Sequence, residues 1–224
     1  MKELAEGVTL IAHGTANELQ AVVDARWPLG PFMYEWARQR VTRSPLEGMP
    51  YQYCALYGLA QQFDGGHLLE IGVGLGFSAA MFAQGAPNGS VVSVDICAEF
   101  VERARASLAD FPNATVRLGD SRSEETWADL PGPFDLLFVD GDHGPEMVKD
   151  LTWYNKLRVG GLMLVHDFDL VSPEHFPPVV LGVKAFMQSI GRTQPDVALI
   201  EAWGNKGPRG MVGFYRREGE EFHV

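Results

Sequence analysis

The sequence predicts an α/β fold, a three-layer sandwich with helices on both faces of a mostly parallel sheet. Two observations predict it. From about residue 65, short apolar runs alternate with amphipathic segments, and the last two strand-like runs, "VALIEAW" and "GMVGFYRR", are joined only by "GNKGPR". Strands spaced by helices require crossover connections and so lie parallel. A link as short as the last one holds no crossover helix, so those two strands are antiparallel and the sheet is mixed.

Residues 1–64 show no such alternation. They read as helices over "ANELQAVVDARW", "FMYEWARQRVTR" and "YQYCALYGLAQQF", a helical extension and lid packed on a core of residues 65–224. In that core "HLLEIGVG" is a buried strand that ends in glycines. "FSAAMFAQGAP" is a helix stopped by Gly85 and Pro87, and "GSVVSVDI" is the next strand. "AEFVERARASLADF" places Phe100, Val101, Ala104, Leu108 and Phe111 on one helical face. "ATVRLGDS" and "FDLLFVDGDH" are the third and fourth strands. "GPEMVKDLTWYNKLRVGG" is a helix closing on paired glycines, "LMLVHDFD" the fifth strand, and "VVLGVKAFMQSIG" the last helix.

Composition narrows the function classes. The chain has 224 residues, enough for one domain with an extension, and 46% of them are hydrophobic, enough for a substantial core. Eighteen Lys and Arg against 29 Asp and Glu give a net charge of −11, which weighs against nucleic acid as a partner. The densest basic stretch, "RWPLGPFMYEWARQRVTR", is interrupted by an acid and aromatics. No apolar run reaches membrane-span length, and "MKELAEGVTLIAHG" lacks the basic head and apolar middle of a secretory signal, so the expectation is a cytoplasmic protein with no membrane partner. Cys54 and Cys97 have neither metal nor disulfide spacing and are expected to be reduced core residues.

The strand-to-helix connections carry the chemistry, because in a parallel sheet they line the edge where ligands bind. The first is "EIGVGLGFS": Gly72, Gly74 and Gly76 at alternate positions after Glu70. Glycines there permit a tight turn and close approach of a ligand to the main chain. A dinucleotide fingerprint, G-x-G-x-x-G, would put its third glycine at position 77, which is Phe77. Glu70 would repel a pyrophosphate and suits a ligand that carries a cation, such as the ammonium and sulfonium of S-adenosylmethionine. The second strand ends in Asp95, a carboxylate able to accept both ribose hydroxyls of either nucleoside. The third ends in Gly119, Asp120 and Ser121. Asp120 suits the adenine amino group, and Ser121 either meets a ring nitrogen through its amide or caps a helix with Glu124 in an S-x-x-E box.

With these residues the chain resembles the class I S-adenosylmethionine-dependent methyltransferases, and more narrowly the catechol-type and macrocin-type small-molecule O-methyltransferases. "EIGVGLGFS", "SVDI", "GDS", "FDLLFVDGDH" and "GGLMLVHDFD" occur in family order over about residues 65–216. The resemblance implies a Rossmann-like seven-stranded mixed sheet with its last hairpin inserted antiparallel. It implies S-adenosylmethionine as cofactor, with Glu70, Gly72, Gly74, Gly76 and Ser78 at the methionine end. Asp95 would hold the ribose and Asp120 with Ser121 the adenine, with Ile96, Gly119 and Asp140 also among the cofactor-binding residues.

Asp140 and Asp167 end the fourth and fifth strands, which puts two carboxylates at one sheet edge, where they suit Mg²⁺ or another divalent metal. Such an ion lowers the pKa of a substrate hydroxyl. His143 stands where the family places a lysine or histidine that takes the proton, so His143, Asp140 and His166 are the candidate catalytic residues. The residue before Asp167 is usually another acid in metal-dependent relatives; here it is His166, so either Asp140, His166 and Asp167 bind a softer ion than Mg²⁺, or His166 moves protons without a metal. Asp142 and Asp169 are substitute ligands. His13, His67, His175 and His223 have no motif around them. The lid is expected from the N-terminal helices, "DLVSPEHFPPVV" and "WGNKGPRG". Trp27, Phe32, Tyr34, Trp36, Tyr51 and Tyr53 shape either an acceptor pocket or a core and dimer interface. The expected activity is methyl transfer to a hydroxyl of a small molecule, in a homodimer. A cephalosporin-hydroxylase-like enzyme, a catalytically silent cofactor-binding subunit and, more distantly, a nicotinamide enzyme are the other readings.

Overall fold

The computed structural model describes residues 9–12, 30–40, 50–130, 132–168, 176–202 and 208–224. The first strand of the expected core, β2 (His67–Ile71), is exposed at His67 and buried over its next four residues. An apolar run of this kind belongs in the middle of a parallel sheet, and β2 pairs in parallel with both β3 (Ser90–Asp95) and β5 (Phe134–Val139). Beyond them lie β4 (Ala114–Leu118), paired to β3, and β6 (Leu157–His166), paired to β5. The sheet therefore grows in one direction through β3 and β4 and in the other through β5 and β6. The connections after β2 and β5 diverge, and this switch point opens a crevice at the carboxyl ends of the strands.

The expected C-terminal hairpin is present. β8 (Pro208–Tyr215) runs antiparallel between β6 and β7 (Val197–Ala202). An eighth strand, which the sequence did not suggest, extends that edge: β1 (Thr9–Ala12) pairs in parallel with β7, giving the order β1-β7-β8-β6-β5-β2-β3-β4. The extension is thus not wholly helical. Its two described helices, α1 (Gly30–Arg40) and α2 (Pro50–Ala60), pack on each other and on α3 (Phe77–Gly85), while the helix expected over 16–27 lies outside the described residues.

Side chains alternate across the sheet with the two-residue period of a strand. Leu68, Leu136, Phe138, Leu162 and Leu164 face the layer of α2, α3 and α4 (Ala98–Ser107), where the Phe82 ring meets Phe138 edge-on at 5.5 Å. Leu69, Leu137, Val139, Met163 and Val165 face the other layer, which contains α5 (Glu124–Trp127), α6 (Met147–Asp150) and α7 (Pro177–Ser189). Phe186 of α7 anchors this layer, with Tyr154, Phe214 and Phe222 around it at 5.0–5.1 Å. Each such side chain contributes about 1.5–3 kcal/mol through burial.

The expected long helix over 144–161 is instead α6 followed by a 3-10 turn, Leu151–Lys156, and the first residues of β6. "LRVGG" is strand because Gly160 and Gly161 exchange main-chain hydrogen bonds with Arg216, each 2.8 Å long, so the paired glycines bend a strand rather than end a helix. On the α4 face Val101, Ala104, Leu108 and Phe111 are buried as expected, whereas Phe100 is 41% exposed and turns to the crevice. No helix among the described residues is long and apolar enough to cross a membrane.

Candidate active site

The turns after β2, β3, β4, β5 and β6 converge on one cleft of about 710 Å³, a volume suited to a small ligand. The glycine loop forms its floor. Gly72 has φ +90°, and a Cβ there would lie 2.1 Å from the Asp140 carbonyl oxygen, so only glycine lets the loop pass against the turn after β5. Gly74, at φ +50°, has nothing within 4 Å of its Cβ position, which leaves the cleft clear. Gly76 stands at the N-cap of α3. The Asp95 carboxylate fixes the loop from the next strand: Oδ2 accepts the Gly74 amide at 3.1 Å and Oδ1 the Cys97 amide at 2.9 Å. Ile96, 66% exposed, and Phe100 form an apolar lip, and Cys97 lines the cleft half-buried rather than sitting in the core.

Glu70 is placed differently from the expectation. It is fully buried behind the loop and off the cleft wall; its Oε1 accepts the Ser78 hydroxyl and its Oε2 the Ser93 hydroxyl. Burial raises its pKa to about 7 against the opposing effect of these two hydrogen bonds. Here it holds Ser78, which does line the cleft.

Gly119, Asp120 and Ser121 lie at the opposite end. Asp120 Oδ1 accepts both the main-chain amide and Nε of Arg122 at 3.0 Å, which holds its carboxyl below the usual range. The Arg122 guanidinium also lies 3.6 Å from Asp142, so it bridges two turns, a role the sequence did not signal. The capping box does not form: Ser123 is the N-cap of α5, and the Ser121 hydroxyl donates to Asp150 at 2.5 Å. Asp150, on α6, is 1% exposed, and burial raises its pKa.

The middle of the cleft holds two carboxylates and two imidazoles. His143 Nε2 is 2.8 Å from Asp167 Oδ2 and 3.5 Å from Asp140 Oδ1. Hydrogen bonds to Asp140 and then Asp167 raise its pKa to about 9. His166 is 8% exposed, with Nδ1 at 3.2 Å from Asp140 Oδ1 and 3.5 Å from Asp167 Oδ2. Burial disfavours its charge, but Asp140 and Asp167 outweigh burial and raise its pKa to about 10. Asp140 is in turn held below its usual range because His166 and His143 outweigh its own burial. Asp167 has φ +56°, a left-handed conformation uncommon outside glycine that turns the chain just after β6.

The remaining candidates separate clearly. Tyr53 reaches the cleft, its ring 4.4 Å from Phe77. Tyr34 packs in the core against the same pair, Trp36 meets Phe111 edge-on and Phe32 is 65% exposed. Phe176, from the expected lid region, lies 5.2 Å from the His143 ring. Asp142 accepts the Gly144 amide in its own turn, His67 bonds Ser90 and His223 pairs with Glu221. Trp27, the Tyr51 side chain, His13, Asp169, His175 and residues 203–207 lie outside the described residues.

Asp140, His166 and Asp167 each offer one ligand atom, all within 4.8 Å of one another. His166 Nδ1 is buried with no aligned hydrogen-bond partner. A buried nitrogen set between two carboxylates without an aligned hydrogen bond fits a divalent cation, and a mixed nitrogen and oxygen set fits Mn²⁺ or a later first-row ion better than Mg²⁺.

A doubly wound sheet with an inserted antiparallel strand and a glycine loop fixed by the Asp95 carboxylate has the class I S-adenosylmethionine-dependent methyltransferase architecture. Residues 69–168 match the family described as a methyltransferase domain. Among curated proteins the chain is 30% identical over 143 residues to protein-L-isoaspartate O-methyltransferase of Methanothrix thermoacetophila, covering 61% of this chain and 64% of the relative. It is 25% identical over 176 residues to catechol O-methyltransferase of Niastella koreensis, covering 73% and 79%. The chain spans 45–64% of the length of the five isoaspartate relatives that lead the curated matches. Among solved structures, the O-methyltransferase TomG of Streptomyces achromogenes, in complex with its S-adenosylmethionine, superposes with a TM-score of 0.64 at 22% identity, over 84% of this chain and 89% of that one.

Proposed function

We propose that the chain moves the methyl group of S-adenosylmethionine to a hydroxyl oxygen of a small molecule, with a divalent cation held at Asp140, His166 and Asp167. The observation that carries this reading is the charge of the cleft. Asp95, Asp120, Asp140, Asp142, Asp150 and Asp167 line it against Arg122 as the one Lys or Arg among its described lining residues. Such a site favours a sulfonium and an ammonium and disfavours a pyrophosphate. Phe77 at the third-glycine position of a dinucleotide loop supports the same choice.

The main chain from Gly72 to Gly76 and the N-terminus of α3 hold the amino-acid end of the cofactor, with Ser78 set in place by Glu70. Asp95, already oriented by two amides, receives the ribose hydroxyls. Ile96 and Phe100 would hold the purine on its apolar side, and Asp120 and Ser121 would meet its polar edge, all four lining the cleft. Bound there, the cofactor supplies an activated methyl carbon, and a divalent ion supplies Lewis acidity at the acceptor oxygen. Tyr53, Phe77 and Phe176 flank the acceptor side and keep water from it. His143 takes the hydroxyl proton. Its pKa of about 9 keeps it protonated at neutral pH beside the bare carboxylates; a cation held at Asp140 and Asp167 would lower that pKa and leave the imidazole neutral, free to accept a proton. Holding oxygen, carbon and sulfur in line is the larger contribution.

The net charge of −11 and the catechol O-methyltransferase match, which covers more of the chain than the isoaspartate one, support a small-molecule acceptor. The test incubates the protein with S-adenosylmethionine and Mn²⁺ or Mg²⁺ against catechols, phenols, sugars and an isoaspartyl peptide, and measures S-adenosylhomocysteine. Its formation with a hydroxylated small molecule supports the reading. Methylation of the peptide alone overturns the acceptor class, and cofactor binding without turnover on any acceptor overturns the activity. His143→Ala is expected to lower turnover about 10²-fold or more with cofactor affinity unchanged.

A further inference from the structure

A second cleft, of about 670 Å³, opens behind the adenine end of the first and shares Ser121 and Arg122 with it. Its floor is a pair of indoles, Trp127 and Trp153, with ring centroids 4.1 Å apart and planes inclined at 54°. Both indole N–H groups donate to the Ser121 carbonyl, at 2.7 and 3.0 Å. The polar edges of the pair are thereby spent inside the protein, and what remains for a ligand is aromatic face and apolar edge. That surface takes a flat ring or a cation.

The rim decides between them. Lys149, Lys156 and Arg122 stand around the opening, with Glu124 the one acidic side chain among its described lining residues. Lys149 is paired with Glu146, and Arg122 with Asp120 and Asp142. Lys156, at the end of the 3-10 turn that carries Trp153, makes no ion pair among the described residues. With Lys149 and Arg122 already paired, Lys156 is the cation left free beside the stacking floor, and one unpaired ammonium there suits an anion attached to a ring.

We infer that this cleft is a second ligand site, separate from the cofactor cleft, for a planar aromatic carboxylate, with the ring on Trp153 and the carboxylate on Lys156. The inference does not depend on the methyltransferase reading.

The test uses 2-naphthoate, which has no hydroxyl to be methylated, titrated into the whole chain by calorimetry with and without saturating S-adenosylhomocysteine. One-site binding is expected in both conditions, reduced at least tenfold for 2-naphthamide, which has the ring but not the charge. Lys156→Glu, a change at an exposed position, is expected to weaken binding at least tenfold, and Trp153→Leu to do the same. Absence of binding at millimolar probe, binding unaffected by both substitutions, or binding abolished by S-adenosylhomocysteine would each overturn the second site.

Discussion

Glu70 shows how a correct residue acquires a different role once its surroundings are known. An acid ahead of a glycine loop reads as a ligand contact, yet the carboxyl lies between Ser78 and Ser93 with no exposure. The signal that finds it is strand parity. Glu70 is two residues from Leu68 and shares its face, and that face packs on the layer of α3, away from the crevice. Its pKa of about 7 against an ordinary 4.5 makes it a stability determinant. Between these values the folded protein binds the proton and the unfolded chain releases it, so stability falls as pH rises from about 5 to 7 and levels off above. Glu70→Gln should remove about 3 kcal/mol of that fall, seen as a gap between wild-type and variant urea curves that narrows toward pH 5. A constant gap would show that the carboxyl titrates normally. Asp95, by contrast, stands where its sequence position suggests, at the end of the strand after the glycine loop and on the cleft wall. Asp95→Ala leaves the Gly74 and Cys97 amides without their acceptor and should weaken S-adenosylhomocysteine binding about 10- to 100-fold in calorimetry. His166 departs from the acid expected of metal-dependent relatives. His166→Asp should shift metal preference from Mn²⁺ toward Mg²⁺ in direct binding titrations of the two ions; an unchanged ratio would remove His166 from the ligand set.

At the scale of elements, continuous apolar runs located the strands buried on both faces, β2 and β5, and periodicity located α4, whose burial follows one face. It failed where hydrogen bonding overrode it. "LRVGG" became strand because Arg216 supplies partners, and β1 pairs with β7 across nearly the whole length of the chain, which no local pattern records. The same holds for Arg192, just after α7. Its guanidinium binds Asp196 and Tyr215 O, and reaches Glu220 at 2.6 and 2.8 Å, while Tyr154 donates to Glu220 at 2.5 Å. This group ties the C-terminal segment to β8 and to the turn before β7. Arg192→Ala removes the cation beside Glu220 and leaves Asp196 only Arg217 as an ion-pair partner, and should cost about 3 kcal/mol in urea unfolding. A loss below about 1 kcal/mol would mean that water replaces the cation.

For the molecule as a whole, sheet order rather than any single residue creates the site. The reversal at β2 opens the crevice, and the five turns that enter it come from residues 72 to 167. Motifs at strand ends were therefore readable in advance. The partners that arrive from elsewhere were not: Tyr53 on α2, Asp150 on α6 and Arg122 across two turns become neighbours only once the layers pack. The central claim is that this crevice places the sulfur end of S-adenosylmethionine beside the Asp140, His143, His166 and Asp167 group. The most direct measurement is a crystal structure grown with S-adenosylhomocysteine and Mn²⁺, read by the anomalous signal of manganese. The account predicts the homocysteine end on the Gly72–Gly76 loop and a manganese peak bonded to Asp140, His166 and Asp167. A crevice closed by side chains, or a cofactor bound there with no manganese and His143 still paired to Asp167, would contradict it.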